Sequence, residues 1–115
     1  MIRLLAIVLF FAAALSGKTA PAAETARAVP ITFTLSAPDA VSVTVAGSFN
    51  KWDPTSHVLA GPDRSGSWTI TLFLMPGRYE YLFLVNTADW IVDPRAPSVE
   101  DGLGGRNSVV LVGTE

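Results

Sequence analysis

The chain has 115 residues, a length that suits one domain, and half of its residues are hydrophobic. Its 8 basic and 10 acidic residues give a formal net charge of −2 and form no basic run, which argues against nucleic acid or an anionic membrane surface as a partner. The sequence contains no cysteine, which excludes disulfides, thiolate metal sites and a lipid-modified cysteine anchor.

The N-terminus carries the pattern of a secretory signal peptide. Arg3 precedes an uninterrupted apolar run, Leu4–Leu15, which is shorter than the roughly 20 residues needed to span a bilayer. Ala20-Pro21-Ala22 has the small-x-small form of a cleavage site, and Ala26-Arg27-Ala28 is a second candidate. We therefore predict a signal peptide at residues 1–22. The alternative, a buried core helix, is disfavoured because the run is apolar all round and lies at the terminus.

Cleavage after Ala22 defines the remaining domain plan. It removes Arg3 and Lys18 and leaves six basic against ten acidic residues, a net charge of −4. Residues 23–28 are Ala-rich with scattered charge and are predicted as a linker, and residues 29–113 as one folded domain. The leader predicts an exported protein, periplasmic or secreted, with no membrane attachment after cleavage.

Short alternating segments separated by turns occupy the predicted domain. Apolar residues at every second position predict strands with one buried face, here at Ile31–Leu35, Val41–Ala46, Trp68–Leu74, Tyr79–Val85 and Asn107–Val112. Shorter strands are predicted at His57–Leu59 and Trp90–Val92. After the leader, no segment longer than about ten residues shows the 3.6-residue helical period. The pattern predicts an all-β fold, an antiparallel β-sandwich of the immunoglobulin-like kind.

Pro76-Gly77 is a strong turn signal between two of these strands. We therefore expect Tyr79–Val85 to return as the hairpin partner of Trp68–Leu74. Within Trp68–Leu74, the indole of Trp68 is in phase with the apolar residues at alternate positions, which predicts that it lies in the core.

Catalytic chemistry finds little support in the residues. His57 is the single histidine, it lies in a Pro-bounded loop, and no Gly-x-Ser-x-Gly motif brackets a serine. Glycoside cleavage needs a pair of carboxylates, and the available ones lie in turns or before prolines, which explains them without chemistry: Asp53, Asp89, Asp93, Glu100 and Asp101. One histidine and scattered carboxylates do not suggest a metal site. We predict a non-catalytic protein without a cofactor.

The Gly-rich segment Asp101–Arg106 is similar to a phosphate-binding loop only in composition. A phosphate loop needs a following helix whose N-terminal amides face the anion. Here a strand is predicted to follow, so the glycines more simply allow the backbone to turn or to approach a ligand closely.

Trp52 and Trp90 are the main candidates for a ligand-binding surface. Each lies in a polar segment followed by an Asp-Pro pair, and neither belongs to an alternating apolar phase. Exposed aromatic patches usually mark contact surfaces. An indole face packs against the apolar face of a pyranose ring, whose hydroxyls need polar partners such as Asn86, Asn107 or Arg106. The alternative left open at this stage is that both indoles merely cover the ends of the sandwich.

The chain resembles the family-48 carbohydrate-binding modules in four ordered motifs: VAGSFNKWDP, GSWTITLFLMPGRYEYLFLV, DWIVDPRAP and DGLGGRNSVVLV. The resemblance covers about Val29–Val112 and is closest to the glycogen-binding domain of the AMP-activated protein kinase β subunit and its single-domain bacterial relatives. It implies an early-set immunoglobulin-like β-sandwich. It also implies binding of glycogen and related α-glucans, without catalysis or beside catalytic domains.

The resemblance further implies roles for individual residues. Trp52 matches the tryptophan that stacks on glucose, and Trp90 matches the second platform. Leu103 matches a leucine that inserts against the sugar chain, and Asn107 matches an asparagine that bonds sugar hydroxyls.

Two positions depart from the family pattern. Leu82 stands where a hydroxyl-binding lysine is expected, and Gly105 replaces a threonine of the glucan-contacting loop. Arg106 is a candidate to compensate for the lost donors, and Leu82 is a candidate for the floor of the binding surface.

We therefore predict an exported, non-catalytic α-glucan-binding module with paired tryptophan platforms. The alternative is a cell-envelope protein-interaction domain that kept the sandwich and reused its aromatic patch, which the apolar side chains of Leu82 and Leu84 favour. The two hypotheses differ in one feature. The first requires Trp52, Trp90 and Asn107 to converge on one open face, whereas burial of either tryptophan favours the second.

Overall fold

The computed structural model describes residues 27–113. The predicted signal peptide at residues 1–22 and the linker up to residue 26 lie outside these described residues. Within residues 27–113, no helix is long and apolar enough to cross a membrane.

Seven strands follow one another through the described residues: β1 (Val29–Ser36), β2 (Val43–Gly47), β3 (Ser67–Leu74), β4 (Gly77–Val85), β5 (Asp89–Ile91), β6 (Ser98–Glu100) and β7 (Arg106–Val112). β1 and β3 form a two-stranded sheet, and the other strands form a larger sheet in the order β2-β4-β7-β6, with β5 added to β4. Every pair is antiparallel. The predicted all-β class with antiparallel sheets is confirmed, whereas the early-set immunoglobulin-like type stays a prediction.

The hydrophobic core lies between the two sheets. β1 and β3 contribute Phe33, Leu35 and Trp68 from one side, and β4 contributes Tyr81 and Phe83 from the other. Successive side chains of a strand point to opposite faces, so the period-two pattern sends one set inward. The core position predicted for Trp68 is confirmed: it is 4% exposed, and its indole nitrogen donates to the carbonyl oxygen of Ala37 at 2.9 Å.

The hairpin predicted between the third and fourth strands is wrong. β3 pairs with β1 along its whole length, from Val29 opposite Leu74 to Ser36 opposite Ser67. β4 instead pairs with β2, β5 and β7. The short connection after Leu74 therefore carries the chain from one sheet to the other. Alternation shows which face of a strand is buried but not which neighbour it bonds, so a turn signal between two strands was not sufficient to predict their pairing.

The shorter strands are partly as predicted. The segment His57–Leu59 bonds to β2 through an isolated bridge between Thr44 and Val58. The strand predicted at Trp90–Val92 is β5, which begins and ends one residue earlier. β6 was not predicted, because its three residues offer too short a pattern to show alternation.

Candidate functional site

The candidate site lies where β4 changes partners along one edge. β7 pairs with β4 from Gly77 to Tyr81, and β5 pairs with it from Phe83 to Val85. β2 pairs with the opposite edge of β4 from Tyr81 to Val85. Leu82 falls between the β7 and β5 ladders, so its side chain lies at the junction of residues that the two strands bring in.

Trp52 is positioned by a tight loop after β2. The carbonyl oxygen of Gly47 accepts hydrogen bonds from the amides of Asn50 at 3.0 Å and Trp52 at 2.9 Å. Lys51 and Trp52 have φ values of 58° and 59°, a left-handed conformation that costs a non-glycine residue about 1–2 kcal/mol. For a residue as bulky as tryptophan this conformation is unusual, and strained backbone of this kind clusters at binding sites. The indole of Trp52 is 38% exposed.

Trp90 is positioned by β5, opposite Leu84 of β4. Its indole is 50% exposed. Leu82 and Leu84 are two residues apart on β4 and share a face, so Trp90 stands on the same face as Leu82. A depression of about 520 Å³ lies here and is lined by Trp52, Leu82, Trp90, Val92, Asp101, Gly105 and Arg106.

A second depression of about 540 Å³ adjoins the first and is lined by Ser48, Trp52, Arg78, Glu80, Asp101, Leu103 and Asn107. Trp52 and Asp101 border both depressions, which therefore form one surface, here called the tryptophan groove. All six residues predicted for the site line this groove, namely Trp52, Leu82, Trp90, Leu103, Arg106 and Asn107.

Asn86, which the sequence offered as a further polar partner, borders neither depression. Its side-chain oxygen accepts hydrogen bonds from the amides of Val41 at 2.7 Å and Ser42 at 3.3 Å. Asn86 therefore holds the entry to β2 and is structural.

The polar wall of the groove is a short network on β4 and β7. Arg78 Nη1 donates to Glu80 Oε2 at 2.9 Å, and the side-chain Nδ2 of Asn107 donates to Glu80 Oε1 at 3.1 Å. These bonds, that from Asn107 first, hold the pKa of the Glu80 carboxyl below its usual range. With one amide hydrogen engaged, Asn107 offers its amide oxygen and its second hydrogen to a ligand.

Arg106 is oriented by β6. Its Nε donates to Ser98 Oγ at 2.8 Å, and its Nη2 donates to the Ser98 carbonyl oxygen at 2.9 Å. A guanidinium has five N–H donors, so donors remain for the groove after these two bonds.

The loop that presents Leu103 is closed by its own carboxylate. Asp101 Oδ1 accepts hydrogen bonds from the amides of Leu103 at 2.7 Å and Gly105 at 3.0 Å, which lower the pKa of the Asp101 carboxyl. Gly102 and Gly104 have φ values of 83° and 92°, which favour glycine. The glycines thus allow the turn, as predicted, and Leu103 is left 90% exposed at its tip.

Sequence reasoning missed the polar wall. Arg78, Glu80 and Leu82 occupy alternate positions of β4, opposite to the buried Tyr81 and Phe83. That shared outward phase is the signal in the sequence that indicates a common face for these three residues.

The other carboxylates considered for catalysis have structural roles where the contacts are described. Asp93 is buried and accepts a hydrogen bond from the Tyr81 hydroxyl at 2.6 Å.

A further depression of about 450 Å³ lies between β1 and the segment that follows Asp93. Tyr81 is the one aromatic residue that lines it and is 3% exposed, so this depression has no aromatic face to offer a sugar.

The chain is similar to a known protein family and to several known proteins. The family model described as the glycogen recognition site of AMP-activated protein kinase matches residues 29–115. The chain is 40% identical over 75 residues to the chloroplastic protein PTST of Arabidopsis thaliana, which covers 63% of this chain and 26% of PTST. It is 37% identical over 75 residues to the 1,4-alpha-glucan branching enzyme GlgB of Leifsonia xyli subsp. xyli, covering 59% of this chain and 10% of the enzyme.

A 1,4-alpha-glucan-branching enzyme of Saccharomyces cerevisiae is 46% identical over 46 residues, or 40% of this chain and 6% of the enzyme. The chain therefore spans about a quarter of PTST and a tenth or less of the two enzymes. The family match, in contrast, includes all seven strands and every residue of the groove. The chain therefore belongs to the family-48 carbohydrate-binding modules, the family that includes the glycogen recognition site of AMP-activated protein kinase, and its domain is a non-catalytic, α-glucan-binding module of this family.

Proposed function

We propose that the tryptophan groove binds a single α-glucan chain, with Trp52 and Trp90 stacked on glucose units. One observation carries the proposal: Trp52 and Trp90 are both exposed, and both line the same groove as Leu82. An aromatic face exposed in a concave surface suits the apolar face of a pyranose ring. Leu103, at the tip of its loop, packs against the glucan chain, and Asn107 bonds its hydroxyls.

The charges of the groove support an uncharged ligand. Arg78 and Glu80 form an ion pair, and the Asp101 carboxylate is engaged with the backbone of its own loop. The groove therefore offers hydrogen-bonding groups with little unbalanced charge, which suits a neutral polyhydroxylated chain. The names of two relatives, both α-glucan branching enzymes, agree with this class of ligand.

The two departures from the family pattern change how the ligand is held. Leu82 makes the floor apolar and lacks the ammonium that would bond a hydroxyl. At Gly105, an added Cβ would lie 2.8 Å from Asp101 Oδ2. A threonine at this position would therefore crowd the carboxylate that closes the Leu103 loop. We infer that stacking and the amide of Asn107 carry most of the binding, with Arg106 as the added donor.

The alternative of a cell-envelope protein-interaction domain has less support. Its distinguishing expectation is that at least one tryptophan is covered by the fold, and the exposure of both indoles favours the glucan hypothesis. Retention of the protein on insoluble starch, with cellulose as the control, separates the two. We expect retention on starch only, reduced in Trp52→Ala and Trp90→Ala and unchanged in Phe73→Ala, because Phe73 is 70% exposed on β3 outside the groove.

We also propose that the protein is exported and begins at Ala23 after cleavage. The proposal is supported by the apolar run Leu4–Leu15 and by the small residues Ala20 and Ala22. The intact mass of the exported protein tests it. A mass that retains residues 1–22 would contradict cleavage and indicate a membrane tether.

A further inference from the structure

The position of Trp52 depends on a side-chain network beneath the groove. Asn50 Oδ1 accepts a hydrogen bond from the amide of Gly47 at 3.0 Å, and its Nδ2 donates to the carbonyl oxygen of Val45 at 3.2 Å. A backbone amide only donates and a carbonyl only accepts, so these two contacts define the orientation of the Asn50 side chain. Asn50 thus ties the end of β2 to Gly47, whose carbonyl oxygen binds the amide of Trp52.

His57 completes this network from the next segment. Its Nδ1 lies 2.9 Å from Asn50 Nδ2. Because that amide nitrogen carries hydrogens, Nδ1 is the acceptor, and the neutral imidazole holds its proton on Nε2. The ring is held in place by Phe49, which meets it edge-on at 6.2 Å between centroids. The His57 carbonyl oxygen also accepts from the amide of Val45 at 3.1 Å.

We propose that Asn50 and neutral His57 are positioning residues for Trp52, and that protonation of His57 weakens glucan binding. The proposal rests on the proposed function of the groove. A proton on Nδ1 would face the amide hydrogens of Asn50, so two donors would meet with no acceptor between them. Rotating the amide to present its oxygen would break the bonds to Gly47 and Val45.

The loss of those bonds would change the backbone conformation that positions Trp52 in the groove. Gly47 holds the amides of both Asn50 and Trp52, and Lys51 and Trp52 are left-handed. Such a conformation persists in non-glycine residues only where surrounding contacts hold it. When Asn50 is released, the loop relaxes and the indole of Trp52 leaves its place.

The one charge described beside His57 acts against this change. Asp53 faces it, and its carboxylate accepts hydrogen bonds from the Ser56 hydroxyl at 2.7 Å and from the amide and hydroxyl of Thr55. These bonds lower the pKa of the Asp53 carboxyl to about 2. Asp53 is therefore ionised, and its charge attracts an imidazolium in the closed loop. The opening of the loop requires that the lost hydrogen bonds of Asn50 outweigh this attraction. β2 contributes only the backbone groups of Val45, and Phe49 carries no charge.

The sign of the effect follows from these contacts. The closed loop requires neutral His57, whereas an open loop accepts the imidazolium. Glucan binding, which requires the closed loop, should therefore be stronger with neutral His57 than with the imidazolium.

The tautomer can be read directly in the free protein. Nitrogen-15 NMR of the imidazole at pH 8 should show an unprotonated Nδ1 and a protonated Nε2. A proton on Nδ1 would overturn the proposal whether or not the protein binds glucan.

Calorimetric titration with maltoheptaose tests the consequence for binding. We expect the affinity of the wild-type protein to fall at least threefold from pH 8 to pH 5. His57→Asn places an amide oxygen near the position of Nδ1 and accepts from Asn50 at either pH, so its affinity should be the same at both. An equal fall in His57→Asn, or no fall in the wild-type protein, would overturn the proposal.

A separate readout applies if maltoheptaose does not bind at any pH, in which case the proposed function fails. The indole N–H resonance of Trp52 should then still shift between pH 8 and pH 5 in the wild-type protein and not in His57→Asn. The resonance of buried Trp68 is the internal control and should not move. Absence of the Trp52 shift would overturn the role of His57.

Discussion

Trp52 and Trp68 show how one residue type serves two purposes in the same chain. Trp68 is 4% exposed, lies in the core and donates its indole N–H to the backbone of Ala37. Trp52 is 38% exposed and is held by its backbone, in a conformation that disfavours any side chain. The position of Trp52 is therefore better explained by its part in the groove than by packing in the core.

The two tryptophans should differ sharply in their contribution to stability. Trp68→Ala should lower the free energy of unfolding by about 3–5 kcal/mol, because it opens a cavity in the core. Trp52→Ala should lower it by under about 1 kcal/mol, because the indole is partly exposed. Urea unfolding of both variants measures the difference. Equally large losses would place Trp52 in the core and remove it from the site.

Tyr81 and Asp93 form a buried pair whose contribution should depend on pH. Burial, and then the hydrogen bond to Asp93, raise the pKa of the Tyr81 hydroxyl above its usual value. The protonated phenol is therefore favoured in the folded state. Its stabilisation is complete below the unfolded pKa of about 10 and is lost as the pH rises above it.

Substituting Tyr81 tests this dependence. Tyr81→Phe should lower the free energy of unfolding by about 1–3 kcal/mol at pH 8, because buried Asp93 loses its donor. From pH 8 to pH 11 the wild-type protein should lose about 1.4 kcal/mol that the variant does not lose. Urea unfolding at both pH values is the measurement. Tyr79→Phe, which leaves the pair in place, is the matched control, and an equal alkaline loss in Tyr81→Phe would contradict the account.

The two departures from the family pattern should respond differently when the family residue is restored. Leu82→Lys places an ammonium at the floor of the groove and should strengthen maltoheptaose binding by about 2- to 10-fold, the scale of one hydrogen bond. Gly105→Thr should not strengthen it, because its Cβ meets the Asp101 carboxylate that closes the Leu103 loop. Calorimetry of both variants decides. Unchanged binding by Leu82→Lys would show that residue 82 does not face the ligand.

The strands β4 and β5, which both contribute residues to the groove, differ in local stability. β4 is paired on both edges at Tyr81 and from Phe83 to Val85, and its residues Tyr81, Phe83 and Leu84 are buried. β5 consists of three exposed residues paired only with the end of β4. Trp90 therefore stands on a marginal strand, whereas Leu82 stands on the central one.

Hydrogen exchange should show this difference. The amides of β5 should exchange through local opening, and the bonded amides of β4 only with global unfolding, because local stability follows buried contacts. Saturating maltoheptaose should slow exchange in β5 and leave the ranking of the other strands unchanged. Equal protection of β4 and β5 in the free protein would contradict this view of the site.

The strands were predictable to the extent that alternation is a local property. β1, β2, β3, β4 and β7 were predicted because apolar residues alternate along each, although β2 is in fact buried on both faces. The phase of Trp68 was predicted from the same pattern. Pairing is not local, so the sequence led to a hairpin where the chain crosses between sheets. β6 was missed because three residues after a proline carry no readable period.

The same distinction applies to the groove. Trp52 and Trp90 were predictable because large aromatics outside an apolar phase need another explanation, and the family resemblance added Leu103 and Asn107. The hydrogen bond between Asn107 and Glu80 joins residues 27 positions apart, and that between Arg106 and Ser98 depends on the unpredicted β6. Such contacts exist only once the sheet brings them together.

At the scale of the whole molecule, the fold makes a shallow binding surface on a stable support. With no cysteine in the chain, the stability of the sandwich comes from its core. The groove is open, so a bound glucan loses freedom and displaces water while much of its surface stays exposed. These costs offset a large part of the gain from stacking, and we expect weak binding.

Two indoles in one groove are proposed to carry the binding of a neutral glucan, and calorimetric titration with maltoheptaose at pH 8 measures that binding. We expect a dissociation constant of about 0.01–1 mM that barely changes with salt, because no ionic contact is involved. Trp52→Ala and Trp90→Ala should each lose about 1–3 kcal/mol, at least tenfold in affinity, while Phe73→Ala keeps the wild-type value. No heat of binding in the wild-type protein, together with no retention on starch, would contradict the account.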